Sequence, residues 1–231
     1  MAKEPFTSFK PEDFEIEATS ENDKYRTGRF RKLLEALKSS LSDSFENTND
    51  YVNVAGKQGT KKGQPKEYRD HTWLSIRFGE ARDTLQFQVS LSAEGVAAFI
   101  NCDATSRNYR RDLLTAFEEH KDKCFDILKN FDDDWYVTIK SRNRSDGWKA
   151  TGLKPKTEWN ISQLKPKDLE VIIEYLRFAE SDLEIGKKIS KKKTLEMKTA
   201  IVSEFSDTFE KLLPLQRLLT EQNNGGGNGG S

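Results

Sequence analysis

The chain reads as an α+β protein, a mostly antiparallel sheet packed against about four helices. Three observations predict this, all within His71 to Leu128. In Thr84 to Leu91 the apolar residues Leu85, Phe87, Val89 and Leu91 alternate with Thr84, Gln86, Gln88 and Ser90, the period of a strand with one dry face. Ser92-Ala93-Glu94-Gly95 then turns the chain into Val96 to Asn101, which makes an antiparallel hairpin. Beyond it the period changes from two residues to three and four, the mark of an amphipathic helix.

The remaining elements follow in order. Phe6, Phe9, Phe14 and Ile16 lie among carboxylates, which predicts an extended segment that pins its rings to the body while its charges stay wet. Ser20 to Asp23 reads as a polar break. Thr27 is the expected N-cap of a helix whose stripe is Phe30, Leu33, Leu34, Leu37, Leu41 and Phe45. Tyr51 to Val54 is a short strand, and Ala55 to Asp70 a loop rich in Gly, Lys and Gln. Trp73 to Phe78 completes a three-stranded meander with the hairpin. A single helix from Ser106 to Asn130 carries Tyr109, Leu113, Leu114, Phe117, Cys124, Phe125 and Leu128. Trp135 to Ile139 alternates as a strand, and Trp159 lies in another short one. Lys165-Pro166-Lys167-Asp168 opens a helix with proline in its first turn and Leu169, Ile172, Ile173 and Leu176 inward. Ser181 to Lys193 is expected to be a connector holding five lysines. Thr194 starts the last helix, with Met197, Ile201, Phe205, Phe209 and Leu212 inward, stopped or kinked at Pro214. The expected organisation is one domain over residues 1–222, followed by a flexible Gly/Asn-rich tail or linker at 223–231.

Composition sets the outer limits. A chain of 231 residues that is 35% hydrophobic can bury a real core. No apolar run approaches the roughly 18 residues a spanning helix needs, and no apolar leader opens the chain. The expectation is a cytoplasmic protein with no membrane partner. Cys102 and Cys124 lack the paired spacing of a zinc site and read as reduced core thiols. With 38 basic and 38 acidic residues the formal charge is zero, so no global field draws the protein onto nucleic acid. The distribution is uneven, however. Residues 1–23 set two lysines against seven carboxylates, which leaves a cationic excess in the rest of the chain.

That excess concentrates in connections. Residues 55–70 hold Lys57, Lys61, Lys62, Lys66 and Arg69 against Glu67 and Asp70, with Gly56, Gly59 and Gly63 between them. Flexible amides and ammonium groups of this kind can wrap a phosphate, although the spacing matches no phosphate-loop pattern. A solvated hairpin tip is the alternative. Residues 140–149 combine Lys140, Arg142, Arg144 and Lys149 with Trp148. Cations that follow phosphates and rings that stack on bases are what a binder of single-stranded or flipped-out nucleic acid uses. Arg107, Arg110 and Arg111 oppose the helix dipole at the start of their helix, which calls for an anion or an acidic side chain nearby.

Catalytic signals are sparser. The two histidines are His71, beside Asp70 at the mouth of a strand, and His120, beside Glu118 and Glu119. His71 is the candidate general base if the protein acts on a phosphate-containing substrate. Asp132-Asp133-Asp134 invites a metal reading, but neighbouring side chains in one turn rarely converge on a cation, so no metal and no cofactor are expected. The acidic-x-Lys nuclease pattern lacks its acid, since Val137-Thr138-Ile139-Lys140 supplies the lysine alone.

The order of elements, down to Phe209-Glu210-Lys211-Leu212-Leu213-Pro214-Leu215 in the last helix, resembles a widespread bacterial family catalogued as domain of unknown function 2461. The resemblance covers most of residues 5–219, and the basic motif of that family ahead of its first sheet strand is matched loosely by Lys62, Pro65, Lys66 and Tyr68, without its Arg-Phe-Ser-Lys-Asp-Lys string. It implies a fold and no established activity. About 50 residues, the Gly/Lys loop with Trp73-Leu74-Ser75-Ile76-Arg77-Phe78 and the hairpin, are similar to the N-terminal recognition domain of McrB-type restriction systems. That similarity implies an aromatic pocket for a flipped base and a place in a bacterial defence system. Together these features predict a nucleic-acid-binding module, with a protein partner or fused domain as a further expectation. Its expected contacts are Lys57, Lys61, Lys62, Lys66, Arg69, Trp73, Arg142, Arg144, Trp148 and Lys149.

Overall fold

In the computed structural model, residues 5–15, 20–46, 48–52, 72–78, 85–102, 107–141, 158–177 and 181–220 are described. They form one antiparallel sheet of seven strands with six α-helices, so the α+β class stands. The elements are α1 (Ser20–Lys38), β1 (Thr48–Val52), β2 (Thr72–Phe78), β3 (Gln86–Ser92), β4 (Gly95–Cys102), α2 (Arg107–Glu119), α3 (Lys121–Leu128), β5 (Trp135–Ser141), β6 (Glu158–Asn160), α4 (Pro166–Leu176), β7 (Ser181–Ser190), α5 (Lys191–Met197) and α6 (Ala200–Thr220). The strand order is β1-β2-β3-β4-β7-β5-β6. The chain divides into two compact units. The first comprises Met1–Gly79, Phe87–Ala98 and Lys188–Glu210, and the second Glu80–Gln86, Phe99–Lys187 and Lys211–Ser231.

The first unit is built on phenylalanine. Phe9 lies 5.2 Å from Phe6, 5.9 Å from Phe14, 6.2 Å from Phe30 and 6.4 Å from Phe205 between ring centroids. A second group joins Phe45, Phe78, Phe87 and Phe209, with Phe87 5.1 Å from both Phe45 and Phe209. Tilted and edge-on contacts of this kind add to simple burial because ring edges meet ring faces. The leader is pinned as expected: Phe6, Phe9 and Phe14 are all buried. One of its charges is not wet, however. Asp13 is 1% exposed and takes a two-pronged bond from Arg29, Nε to Oδ1 at 3.1 Å and Nη2 to Oδ2 at 3.0 Å. It also accepts the Lys10 N–H at 2.7 Å, closing the turn at Pro11–Phe14. The Arg29 guanidinium in turn stacks 4.8 Å over the Phe6 ring.

Helix α1 begins a turn and more ahead of the expected cap, so Thr27 is a buried mid-helix residue and Ser20 to Asp23 is helix, not a break. Ser, Glu, Asn and Asp suit a first turn, where short polar and acidic side chains serve the free amides. The helix stops at Lys38, where the Ser39 and Ser40 hydroxyls donate back to the Glu35 and Leu37 carbonyls at 3.0 Å. Phe45 therefore lies in a separate 3-10 turn, Asp43–Phe45, and not on α1.

In the second unit α4 forms as read. Pro166 is its first residue, the Asp168 carboxylate accepts the Lys165 N–H at 2.8 Å, and Leu169, Ile172, Ile173 and Leu176 are buried. The helix expected over 106–130 is two helices, broken at His120 (φ −113°, ψ 21°). Bonds from His120 N–H to the Ala116 carbonyl and from Cys124 N–H to the His120 carbonyl persist across the bend, so the axis is redirected without losing the ladder. Both pieces pack on α4, and the ion pairs Lys121–Glu170 at 2.9 Å and Arg177–Glu118 at 2.7 Å lie along that contact. Cys124 is buried there, which pushes its thiol up to about 12 and keeps it protonated.

The largest correction concerns 181–193. The expected connector is β7, ten residues long, whose stretch from Ser181 to Lys187 pairs with β5 from Ser141↔Ser181 to Trp135↔Lys187. Leu183, Ile185 and Ile189 point into the core and alternate with Asp182, Glu184, Gly186 and Lys188. Lys187 interrupts the apolar row, so the pattern reads as a lysine run rather than a strand. The last helix is likewise two, α5 and α6, separated at Lys198, whose φ of 50° no helix interior adopts. Pro214 is accommodated within α6 rather than ending it.

Candidate functional site

Of the residues expected to contact nucleic acid, Trp73 is the one within the described set. Lys57, Lys61, Lys62, Lys66, Arg69, Arg142, Arg144, Trp148 and Lys149 lie outside the described residues, as does His71. The described strands nevertheless bound both cation-rich stretches. Residues 53–71 join β1 to β2, whose ladder runs from Thr48↔Phe78 to Val52↔Leu74. Residues 142–157 join β5 to β6, paired at Thr138↔Glu158, Val137↔Trp159 and Tyr136↔Asn160. Each stretch is thus held at its two ends by one antiparallel pair. The first carries five basic and two acidic residues, the second five basic and one acidic.

Trp73 sits at the start of β2 and is half-buried, on the side of the strand that also carries Ser75 and Arg77. Leu74 and Ile76 face the other way into the core. Ser75 is fully buried, and among the described residues its hydroxyl has no hydrogen-bond partner. Two of the other tryptophans are structural. Trp135 is 1% exposed and stacks on Phe131 at 4.2 Å, and Trp159 is 1% exposed with its ring 6.2 Å from Tyr175. Among the described tryptophans, Trp73 is the one that is not fully buried.

The other expected features resolve locally. His120 is half-buried at the start of α3. Arg111 is exposed and pairs with its neighbour Asp112 at 3.5 Å, which supplies the acidic partner its position in the first turns of α2 asks for. Asp132 to Asp134 form the turn into β5, where backbone carbonyls do the bonding: that of Asp132 accepts the Trp135 N–H at 3.1 Å and that of Asp133 accepts Asn160 Nδ2 at 2.8 Å. Among the described residues no group of three His, Cys, Asp or Glu side chains is placed to hold a metal ion.

One arrangement escaped the sequence. On the polar side of β5 in the second unit, Thr138 is the register partner of Glu158 on β6 and of Glu184 on β7. Thr138 Oγ1 donates to Glu158 Oε2 at 3.1 Å, and Thr138 and Glu184 are both buried. Tyr136, two residues before, is 4% exposed; burial first, and then the charges of Glu184 and Glu158, hold its phenol well above the usual tyrosine range. Lys140 stands opposite Asp182 in the same register. The two positions are 42 residues apart in the chain, a pairing that no local pattern reveals. A buried carboxylate beside hydroxyls repels phosphate, so this face is not the expected anion contact. No helix among the described residues is long and apolar enough to cross a membrane. The chain matches no protein-family model and no curated protein sequence.

Proposed function

We propose that the protein is a nucleic-acid-binding module whose contacts come from the two cation-rich stretches, with Trp148 and Trp73 as stacking rings. The observation that carries this is the rooting of both stretches: each excess of lysine and arginine is bounded by a paired strand at either end. A segment tethered at both ends has less freedom to lose on binding than a free tail, so more of its electrostatic attraction survives as affinity. Lysine and arginine contacts to phosphate release condensed counterions, and the indole ring stacks on a base of any identity.

Binding of labelled single- and double-stranded DNA and RNA, followed by fluorescence anisotropy over a salt series, tests it. Changing Lys61, Lys62, Arg142 and Arg144 to Ala should weaken binding at 100 mM salt by at least tenfold and flatten the salt dependence by about one logarithmic unit for each phosphate no longer neutralised. Affinity unchanged in that variant would overturn the assignment of these stretches.

A further inference from the structure

In the second unit, α3 and the last turns of α6 flank a shallow groove of about 520 Å³. We infer that it is the docking site for an acidic amphipathic helix of a protein partner, whose aliphatic side chains enter between Ile127 and Leu218 while its carboxylates meet Lys123 and Arg217. Its role does not depend on nucleic-acid binding.

Both walls are built alike. On α3, Lys123, Asp126 and Ile127 stand at positions i, i+3 and i+4, and on α6 Pro214, Arg217 and Leu218 repeat that spacing, so each helix brings one cation and one aliphatic side chain to the groove. The opposite faces carry the core: Cys124 and Leu128 on α3, and Leu212, Leu215 and Leu219 on α6, are buried. Ile127 and Leu218 are half-buried and Pro214 is exposed, so the groove keeps apolar surface in water. Its acidic side chain among the described residues, Asp126, is already engaged by Lys129 at 2.5 Å. Lys123 and Arg217 are exposed and have no acidic partner among the described residues. Lys211, one turn before Pro214, is exposed on the same side of α6. The floor is thus apolar and the rim cationic.

Core packing does not explain Pro214. A proline inside a helix removes one bond of the ladder and crowds the carbonyl four residues back, and this ring is exposed, so no burial offsets the loss. It adds a flat apolar surface to the groove instead. The floor and the rim together select the occupant. A phosphate backbone gains nothing from Ile127 and Leu218 and meets the Asp126 carboxylate. An added strand needs a free backbone edge, which helical walls do not offer. A small molecule would stay largely in water here, whereas ligand pockets bury about 70–90% of what they hold. A helix with leucine or isoleucine at three- and four-residue steps among carboxylates satisfies both floor and rim. Residues 221–231, which follow α6, hold no aliphatic or aromatic side chain and do not supply such anchors.

The test uses the full chain and two capped peptides of about 14 residues with leucines at three- and four-residue steps, one carrying glutamate and the other lysine at the remaining positions. Binding is followed by the NMR shifts of the labelled chain. The glutamate peptide should bind with a Kd of about 100 µM or tighter and move the Ile127 and Leu218 methyl signals, and the lysine peptide should not. A variant carrying Lys123→Glu and Arg217→Glu changes exposed positions and should keep the wild-type melting temperature. It should bind the glutamate peptide at least tenfold more weakly and gain the lysine peptide, an exchange that misfolding cannot produce. No binding of the glutamate peptide at about 1 mM, or equal binding by wild type and variant, would overturn the inference. Self-association that Leu218→Arg abolishes, without peptide binding, would assign the groove to a second copy and also overturn it. So would nucleic-acid binding that the charge-reversed variant loses while neither peptide binds. Failure of the peptides alone leaves the cation-rich stretches untouched.

Discussion

The two units bury charge in opposite ways. In the first, the buried carboxylate of Asp13 meets the Arg29 guanidinium in a two-pronged bond. In the second, Glu184 is buried on a sheet face shared with Thr138 and Tyr136. A cation neutralises the one; the other stands in register with the Thr138 hydroxyl and raises the titration of the Tyr136 phenol. The second unit's cluster depends on Tyr136 remaining neutral.

The largest predicted effect concerns the close approach of the β3–β4 hairpin to the end of β7, within the first unit. Gly95→Ala would place a methyl on the Ile189 carbonyl in a backbone conformation that disfavours a side chain, and should cost about 4 kcal/mol in chemical denaturation. A loss under 1 kcal/mol would show that the hairpin turn and the end of β7 yield to the added methyl. Next is the ion pair itself. Asp13→Ala leaves Arg29 with little solvent to replace its partner and frees the turn at Lys10, at a cost of about 3 kcal/mol. Asp13→Asn, which keeps one acceptor, should lose less, and equal losses would mean that shape rather than charge holds the leader.

The smallest effect is the pH response of the second unit. The phenol of Tyr136 titrates higher in the folded chain than in the unfolded one, so its contribution to stability is fully present below the ordinary tyrosine pKa of about 10. It is lost as pH rises from there through the folded value. Melting temperatures measured from pH 8 to pH 11.5 should fall above pH 10, and Tyr136→Phe should fall less steeply over that range. Cys124 shifts in the same direction, so a residual slope is expected in the variant. Parallel curves for the two proteins would remove Tyr136 from the account.

How much of this the sequence disclosed depends on distance along the chain. The β3–β4 hairpin was legible because Leu85, Phe87, Val89 and Leu91 alternate without interruption and a two-residue turn follows. Helix α4 was legible because Pro166 and Asp168 mark its start within four residues. Strand β7 was hidden by Lys187, which stands in the apolar row and turns a strand pattern into a charge run. The bend at His120 was hidden because the stripe on either side keeps its spacing, and only packing on α4 redirects it. The Glu158–Thr138–Glu184 row is set by cross-strand register between residues 20 and 46 positions apart, and neither neighbour has a motif of its own. The basic connections, by contrast, were visible from composition alone, because an excess of lysine and arginine needs no register to be seen.

The most direct test of the central claim is the salt dependence of binding by the unmodified chain. Log affinity for nucleic acid plotted against log salt between 50 and 200 mM should fall linearly, with a slope of about −4 or steeper, as several lysine and arginine contacts each release a counterion. A flat line, or no binding to any nucleic acid at 50 mM salt, would contradict it.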